Sequence, residues 1–458
     1  MSKIKVTFAG GASTPTGSNF LVEVGDKKFL VDCGLYQGER IAEYENRKDF
    51  PYDLTKIDGL FVTHGHLDHV GRIPKLYADG YTGPIYSTPP TRDIGELIML
   101  DSLHLLQNEA EREGLTPMYE EKDVIRAMHN WHTQNYHEVL PIQTSEGVLK
   151  VRLLDAGHIM GSSMVEFELN GKKLLFSGDL GNSPSPLLKD TEEIKNINYL
   201  IMESVYGDRN HEDFQDRIEK LKQIIIKTIT RGGTLMIPAF SIERTQEILF
   251  QINNFVEQGL VPRCPIYLDS PLGINVTKVY KRYHAEYMNT GVNSIIKSGD
   301  DIFNFPGLKI TADKEESMAI NHDNGAKIII AGSGMSNGGR IVHHEAKYLP
   351  DPKATLLLVG YQAIGTLGRK LYEGAKKVYV NHNEVNVRCE INMIGGFSAH
   401  KDSQHLVQFV ESSADTLNKV FVVLGEPKSA MFLAQKINEY YDIPVKLPEL
   451  GETVELDM

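Results

Sequence analysis

Residues 63–69 read Thr-His-Gly-His-Leu-Asp-His, so His64, His66, Asp68 and His69 fall within six positions. They follow an apolar stretch, residues 57–62, that reads as a buried strand. Imidazole nitrogens and carboxylate oxygens at this density suit a divalent transition metal, which they bind at roughly 2.0–2.2 Å. Side chains at i and i+2 leaving a strand point the same way, so His64 and His66 can grip one ion. Asp68 and His69, turning into a following helix, can face a neighbouring one. An isolated histidine is ordinarily a core or surface group; four donors in one run need a scaffold that brings further ligands to them.

Two more strand ends supply candidates. LLDAGHIMGSS presents His158 and LLFSGDLG presents Asp179, each beside glycine. His158 can complete the first donor set, and Asp179 can bridge two ions through its two oxygens. Asp32, at the end of FLVDCG, is expected to hydrogen-bond a ligand histidine and fix its tautomer; on spacing alone a turn-capping aspartate reads equally well.

The rest of the composition limits what such a site can belong to. A chain of 458 residues divides most easily into two or three compact bodies. Its 41% apolar and 24% charged residues exclude disordered, collagenous and coiled-coil readings. No apolar run approaches the roughly 18 residues of a membrane span, and MSKIKVTFAGG lacks the features of a secretory signal; a cytoplasmic protein without membrane association is expected. Cys33, Cys264 and Cys389 are three in number with no CxxC spacing, which indicates neither a disulfide framework nor a thiolate zinc site. The net charge of -13 opposes indiscriminate attraction to polyanions and leaves room only for a local basic groove.

Along the chain, residues 1–208 read as short strands with turns and a few helices. Gly25-Asp26 and Asn170-Gly171 are hairpin signals. A helix with Ile94, Leu97, Ile98 and Leu105 on one face follows the histidine-rich run. From about residue 209 the texture changes: a helix marked by Phe214, Ile218, Leu221 and Ile225 stops at Gly232-Gly233, and TLMIP, PIYLD, KIIIAG and ATLLLVG alternate with helical stretches at 242–258 and 338–348. That is the pattern of a parallel sheet with crossover helices. From about 391 come GGFSAH, a helix near 401–412 and the strand KVFVVLGEP.

VDCG, THGHLDH, DAGHIMGS and SGDLG resemble the metal-binding motifs of the metallo-β-lactamase superfamily. ESVYGDR, PAFSIERTQE, DSPL, GSGMSNGGR, GYQAIGTLGR and GFSAHKD resemble, in order, its β-CASP nucleases, in a likeness covering nearly the whole chain. The pattern is similar to compact prokaryotic relatives of the messenger 3′-end processing endonuclease and, more distantly, to ribonuclease J. The resemblance implies an α/β fold: an αββα sandwich (1–208 and 391–458) with an inserted β-CASP domain (209–390) built on a mainly parallel sheet. It implies that Glu203 of ESVYGD supports a ligand or the nucleophilic water, and that His400 of GFSAHKD faces the scissile phosphate. One position departs: the family's strand-end VHGE motif is VVLGEP here, with Leu424 where a ligand histidine stands. Two zinc ions are therefore expected, the second held weakly by Asp68, His69 and Asp179, with Mn²⁺ as the alternative metal.

The function implied is hydrolysis of phosphodiester bonds in single-stranded RNA by a metal-activated water, since zinc can bring the pKa of water to about 7 and a metal pair can stabilise entering and leaving oxygens. Asp68 would orient that water or accept its proton. The glycine-rich GSGMSNGGR, with Ser333 and Gly334, is a candidate phosphate cradle, and Arg244 and Arg369 are candidates for backbone contacts. DNA is the alternative polymer, and a homodimer is compatible with the sequence. Competing readings are a catalytically impaired RNA-binding subunit, favoured by Leu424, and a small-molecule metallo-hydrolase, which would not need the inserted domain.

Overall fold

The computed structural model describes residues 2–38, 40–363 and 365–458. The chain forms two compact units, Met1–Asn210 with His400–Met458, and His211–Ala399.

The first unit is built on two seven-stranded sheets. In one, the order is Thr453–Asp457, Lys3–Phe8, Phe20–Val24, Lys27–Val31, Gly59–Phe61, Ile85–Ser87 and Trp131–Thr133. In the other it is Val445–Lys446, Lys419–Val422, Tyr199–Met202, Lys172–Phe176, Ser163–Leu169, Gly147–Asp155 and Leu140–Thr144. Period-two alternation explains how they meet. Along Lys3–Phe8, Ile4, Val6 and Phe8 turn inward, while Lys3 and Lys5 turn outward to Glu455 at 2.7 and 3.1 Å. The inward side chains join Phe20, Val22, Val31 and Phe61 from the same sheet and Val151, Phe167, Phe176, Ile201 and Phe421 from the other in one buried cluster. The second sheet's opposite face, with Met164, Leu175, Leu200 and Met202, packs on Leu406 and Val410 of helix Ser403–Glu411 and on Leu433 and Ile437 of helix Pro427–Tyr441. The first sheet is flanked by helices including Pro89–Glu113, whose Gly95 lies against Trp131. This is a helix–sheet–sheet–helix sandwich.

Both expected hairpins form. Val24 pairs with Lys27 across Gly25-Asp26, and Leu169 with Lys172 across Asn170-Gly171. Positive φ at Asn170 and Gly171 is what a two-residue turn matching strand twist requires. Helix Pro89–Glu113 differs from expectation in its second half: Ile94 and Ile98 are buried, but Leu105 is 64% exposed. There the helix buries Ser102, Leu103 and Ala110 instead, so tertiary packing rather than the first turns' apolar stripe decides which side is inward.

The second unit carries a six-stranded sheet in the order Leu308–Ile310, Ile266–Asp269, Lys327–Ala331, Thr234–Pro238, Thr355–Val359, Glu390–Ile394. Every pairing in it is parallel. Its central strands are buried at every residue, which is why they read as unbroken apolar runs. The boundary read at 390/391 needs correction: Glu390–Ile394 is the edge strand of this sheet, paired with Thr355–Val359, and the unit continues to Ala399.

Asp269, at the end of one of these strands, ties the sheet to its surroundings. Its Oδ1 accepts from Arg340 Nη1 at 2.7 Å and Thr311 Oγ1 at 2.8 Å; its Oδ2 accepts from Ser317 Oγ at 2.6 Å and faces His344 Nε2 at 2.7 Å. Burial opposes its charge, but these bonds, led by that of His344, outweigh it and hold the carboxyl down at about 2. A carboxyl depressed on folding contributes stability that is present above its unfolded pKa of about 3.9 and is lost as pH falls through the folded value. The second unit is expected to lose about 2 kcal/mol between roughly pH 4 and pH 2 through this group. Asp269→Asn should remove that portion of the acid dependence, measured by urea unfolding across the same range.

Candidate metal centre

The first unit gathers the histidine-rich run and the other strand-end donors at one place. His64 leaves strand Gly59–Phe61 after Val62 and Thr63; His66 caps the four-residue helix Leu67–Val70, which carries Asp68 and His69. His64 Nε2 lies 3.1 Å from His66 Nδ1 and 3.4 Å from Asp179 Oδ2. His158 Nε2 lies 3.2 Å from His66 Nδ1 and 3.6 Å from Asp179 Oδ2. Four donors at these separations match the edge, about 3.3 Å, of a tetrahedron whose centre is about 2.0–2.1 Å from each corner, the bond length zinc takes with nitrogen and oxygen ligands. His64, His66, His158 and Asp179 thus fit a divalent cation. Burial, reinforced by the neighbouring imidazoles, drives His66 and His158 well below the usual histidine range, so both offer lone pairs rather than protons.

His69 and Asp68 lie beside this set. His69 Nε2 is buried and makes no hydrogen bond among the described residues; it stands 3.4 Å from Asp179 Oδ1 and 4.0 Å from Asp68 Oδ2. Its other nitrogen is fixed: Nδ1 meets Asp32 Oδ2 at 2.7 Å. Asp32 in turn accepts from the Thr63 amide at 2.8 Å, the Thr63 hydroxyl at 2.9 Å and the Ser18 hydroxyl at 3.0 Å. The carboxylate therefore sets which nitrogen of His69 carries the proton and aims the other at Asp179. Burial disfavours the charged imidazole, yet Asp179 and Asp32 together raise its pKa well above the usual value. A cation at Asp68, His69 and Asp179 would compete for the place that proton takes.

Glu203, fully buried, directly follows strand Tyr199–Met202. Its Oε1 accepts from the Leu180 amide at 2.7 Å and faces His400 Nδ1 at 3.1 Å; its Oε2 accepts from the Val205 amide at 3.2 Å. His400 Nδ1 is 4.0 Å from Asp179 Oδ2. Burial works against its charge, but Glu203 and Asp179 prevail and raise its pKa to about 9. Asp179 itself, although burial would raise it, is held well below the carboxylate range by the facing imidazoles of His69, His64 and His400.

All nine residues expected at the centre, His64, His66, Asp68, His69, His158, Asp179, Glu203, His400 and Asp32, thus sit together. The four candidates for substrate contact lie in the other unit. Arg244 is only 6% exposed and donates to Glu247 Oε2 at 2.7 Å, so it serves as an internal ion-pair partner; the expectation of a phosphate contact fails on desolvation and pairing. Arg369 holds Glu373 at 2.6 Å. The amides of Ser333 and Ser336 are spent inside their own loop, on Gly338 and Ser333 carbonyls, and the Ser333 hydroxyl accepts from the Asn337 amide. Gly334 lies against the Phe240 ring, where a Cβ would stand 2.7 Å from Cδ2. Leu424 is buried with Ala12, Phe20 and Val423, and its amide donates to Gly11. Ser18, which with Thr63 orients Asp32, lies outside every quoted motif; Thr63 and Gly34, whose missing Cβ makes room for the Asp68 carbonyl, stand inside THGHLDH and VDCG but were given no role there.

Residues 15–230 match the metallo-beta-lactamase superfamily, residues 245–371 the Beta-Casp domain, and residues 384–448 the Zn-dependent metallo-hydrolase RNA specificity domain. The ribonuclease TTHA0252 of Thermus thermophilus is 34% identical over 445 residues, 97% of this chain and 98% of that protein. The chain belongs to the β-CASP family of the metallo-β-lactamase superfamily. Among other β-CASP relatives, the RNase J-like protein of Methanocaldococcus jannaschii is 34% identical, with 98% and 99% of the two chains covered. The transcription termination factor FttA of Methanosarcina mazei is 30% identical over 99% of this chain and 72% of its own length. The fold is also shared by a crystal structure of a protein of unknown function from Enterococcus faecalis, with a TM-score of 0.57 at 15% identity and 99% and 100% of the chains covered. Among the described residues, no helix is long and apolar enough to cross a membrane.

Asp32→Asn tests the tautomer argument. Asparagine tolerates the positive φ of this position but turns a donor or a weaker acceptor toward His69. Zinc affinity, read by competition with a chelator, should fall by about 10- to 100-fold with the melting temperature little changed.

Proposed function

We propose that this protein is a metal-dependent ribonuclease that hydrolyses phosphodiester bonds of single-stranded RNA. The observation that carries the reading is the convergence of His64, His66, His158 and Asp179 with Asp68 and His69, next to the Glu203–His400 pair. It is supported by the match of 97% of the chain to a ribonuclease and by the RNA specificity domain. A small-molecule hydrolase of the same superfamily would leave the second unit without a use.

Zinc is the metal this donor set favours, with Mn²⁺ as the alternative; bound there, such ions polarise phosphodiester oxygens and make water nucleophilic near neutral pH. The chain's own groups do the rest. Asp68 orients the attacking water or takes its proton. Glu203 engages His400 Nδ1, so the proton that His400 presents to the substrate is on Nε2. From that position His400 can hold a non-bridging phosphate oxygen or protonate the departing one. The polymer is RNA in this reading, and the protein acts in the cytoplasm.

Leu424 favours a second reading, an RNA-binding subunit whose chemistry has been lost with a ligand. Against it stand the retained Asp68, His69 and Asp179 and the buried His69 Nε2, which makes no hydrogen bond among the described residues.

Elemental analysis alongside cleavage of 5′-labelled and internally labelled RNA separates the roles. Asp179→Ala should lose both bound metal and cleavage. His400→Ala should keep its metal and lose about 100- to 10,000-fold in rate. An inactive wild type with full metal content would leave the binding-subunit reading.

Leu424→His should tighten retention of a second ion, seen as a metal-to-protein ratio nearer two after dialysis against chelator. Unchanged stoichiometry and affinity would remove Leu424 as the cause of a weak second site.

A further inference from the structure

Lys401 follows His400 directly and is buried, at 6% exposure. A lysine is rarely taken out of water without specific partners. Here Nζ donates to the Gly181 carbonyl at 2.9 Å and to Ser183 Oγ at 3.2 Å. Its own amide donates to the Leu180 carbonyl at 2.8 Å, and Gly181 and His400 form an isolated antiparallel bridge. One residue thus holds the carbonyls of Leu180 and Gly181 and the hydroxyl of Ser183, in the segment that begins with Asp179.

The opposite side of that segment is fastened to the loop carrying His158. The Gly181 amide donates to the Ala156 carbonyl at 2.8 Å, and a Cβ on Gly181 would stand 1.8 Å from the Gly157 carbonyl. Leu180 reaches Glu203 through its amide. Asp179 therefore leaves a short segment wedged between the loops of His158 and His400, and Lys401 closes the wedge from the His400 side.

We propose that Lys401 is a positioning residue: its ammonium clamps the Gly181 carbonyl and Ser183 hydroxyl, so that Asp179, which would hold a metal, and His400 are held in one register. The inference rests on the metal-centre reading above, and assigns to this lysine a part that the ligand motifs do not contain. Angular control of this kind matters because misplacing a ligand by a fraction of an ångström weakens both metal binding and rate.

The test compares wild type with Lys401→Met, which keeps the length and apolar stem but removes the clamp. Three quantities are read: hydrogen exchange of segment 179–183 in metal-free protein, zinc affinity by chelator competition, and kcat and KM on RNA. Lys401→Met should exchange about 5- to 10-fold faster there, bind zinc about 10- to 100-fold more weakly, and lose kcat by a similar factor with KM within about 2-fold. Folded Lys401→Met protein with wild-type exchange and zinc affinity would overturn the proposal. If Lys401→Met does not fold, Ser183→Ala, which removes one of the two bonds, decides: exchange about 2- to 5-fold faster supports the clamp, and unchanged exchange refutes it. A wild type that cleaves no RNA would defeat the ribonuclease reading alone, because exchange and zinc affinity report on the clamp without it.

Discussion

Asp32, Asp179 and Glu203 are withdrawn almost completely from water, and a carboxylate removed from solvent has to be matched by hydrogen-bond donors or opposite charge. Much of the first unit's loop structure answers that requirement. Asp32 is met by Thr63, Ser18 and His69; Glu203 by two backbone amides and His400; Asp179 by imidazoles at 3.4–4.0 Å. The first two are satisfied within the chain. Asp179 is surrounded by nitrogen lone pairs as well as protons, which is the arrangement in which a divalent cation completes what the protein leaves undone.

The close approach of these loops explains residues that carry no chemistry themselves. Gly34 lies against the Asp68 carbonyl, Gly178 against Thr63, and Gly181 against the Gly157 carbonyl; a side chain at any of them would separate donor-bearing segments. The sandwich supplies the fixed ends. Strands Gly59–Phe61, Gly147–Asp155, Lys172–Phe176 and Tyr199–Met202 are anchored in the apolar cluster and release their polar residues just beyond it, so the donors emerge from a rigid base while their charges stay outside the sheet. In the second unit the same logic appears at Asp269, where a strand-end carboxylate is used for cohesion.

Where pattern and packing coincide, much was readable. The run THGHLDH announces a metal centre because donor identity and spacing are local properties, and TLMIP, KIIIA and TLLLV announce a parallel sheet because burial on both faces leaves only apolar residues. Arg244 and Leu105 show where reading by type stops. A guanidinium and a leucine look alike in sequence whether exposed or buried, and only the neighbours decide: Glu247 draws Arg244 inside, and the turn of helix Pro89–Glu113 leaves Leu105 in water. Lys401 is the converse case, a residue type expected at the surface that the Gly181 carbonyl and Ser183 hydroxyl hold within. Glycine-rich 332–339 looked like free amides but spends several on itself, because loop-internal hydrogen bonds depend on backbone angles that residue names do not specify.

From its amino acids alone this chain was committed to alternating and continuous apolar strands, two hairpins and a dense set of nitrogen and oxygen ligands, since these follow from side-chain chemistry at short range. Tertiary structure decided which donors share a centre, that Asp32 orients His69, that Glu203 meets His400, and that Glu390–Ile394 joins the parallel sheet. Those pairings link residues tens to hundreds of positions apart, and no local preference encodes a distance that only the folding of whole sheets brings about.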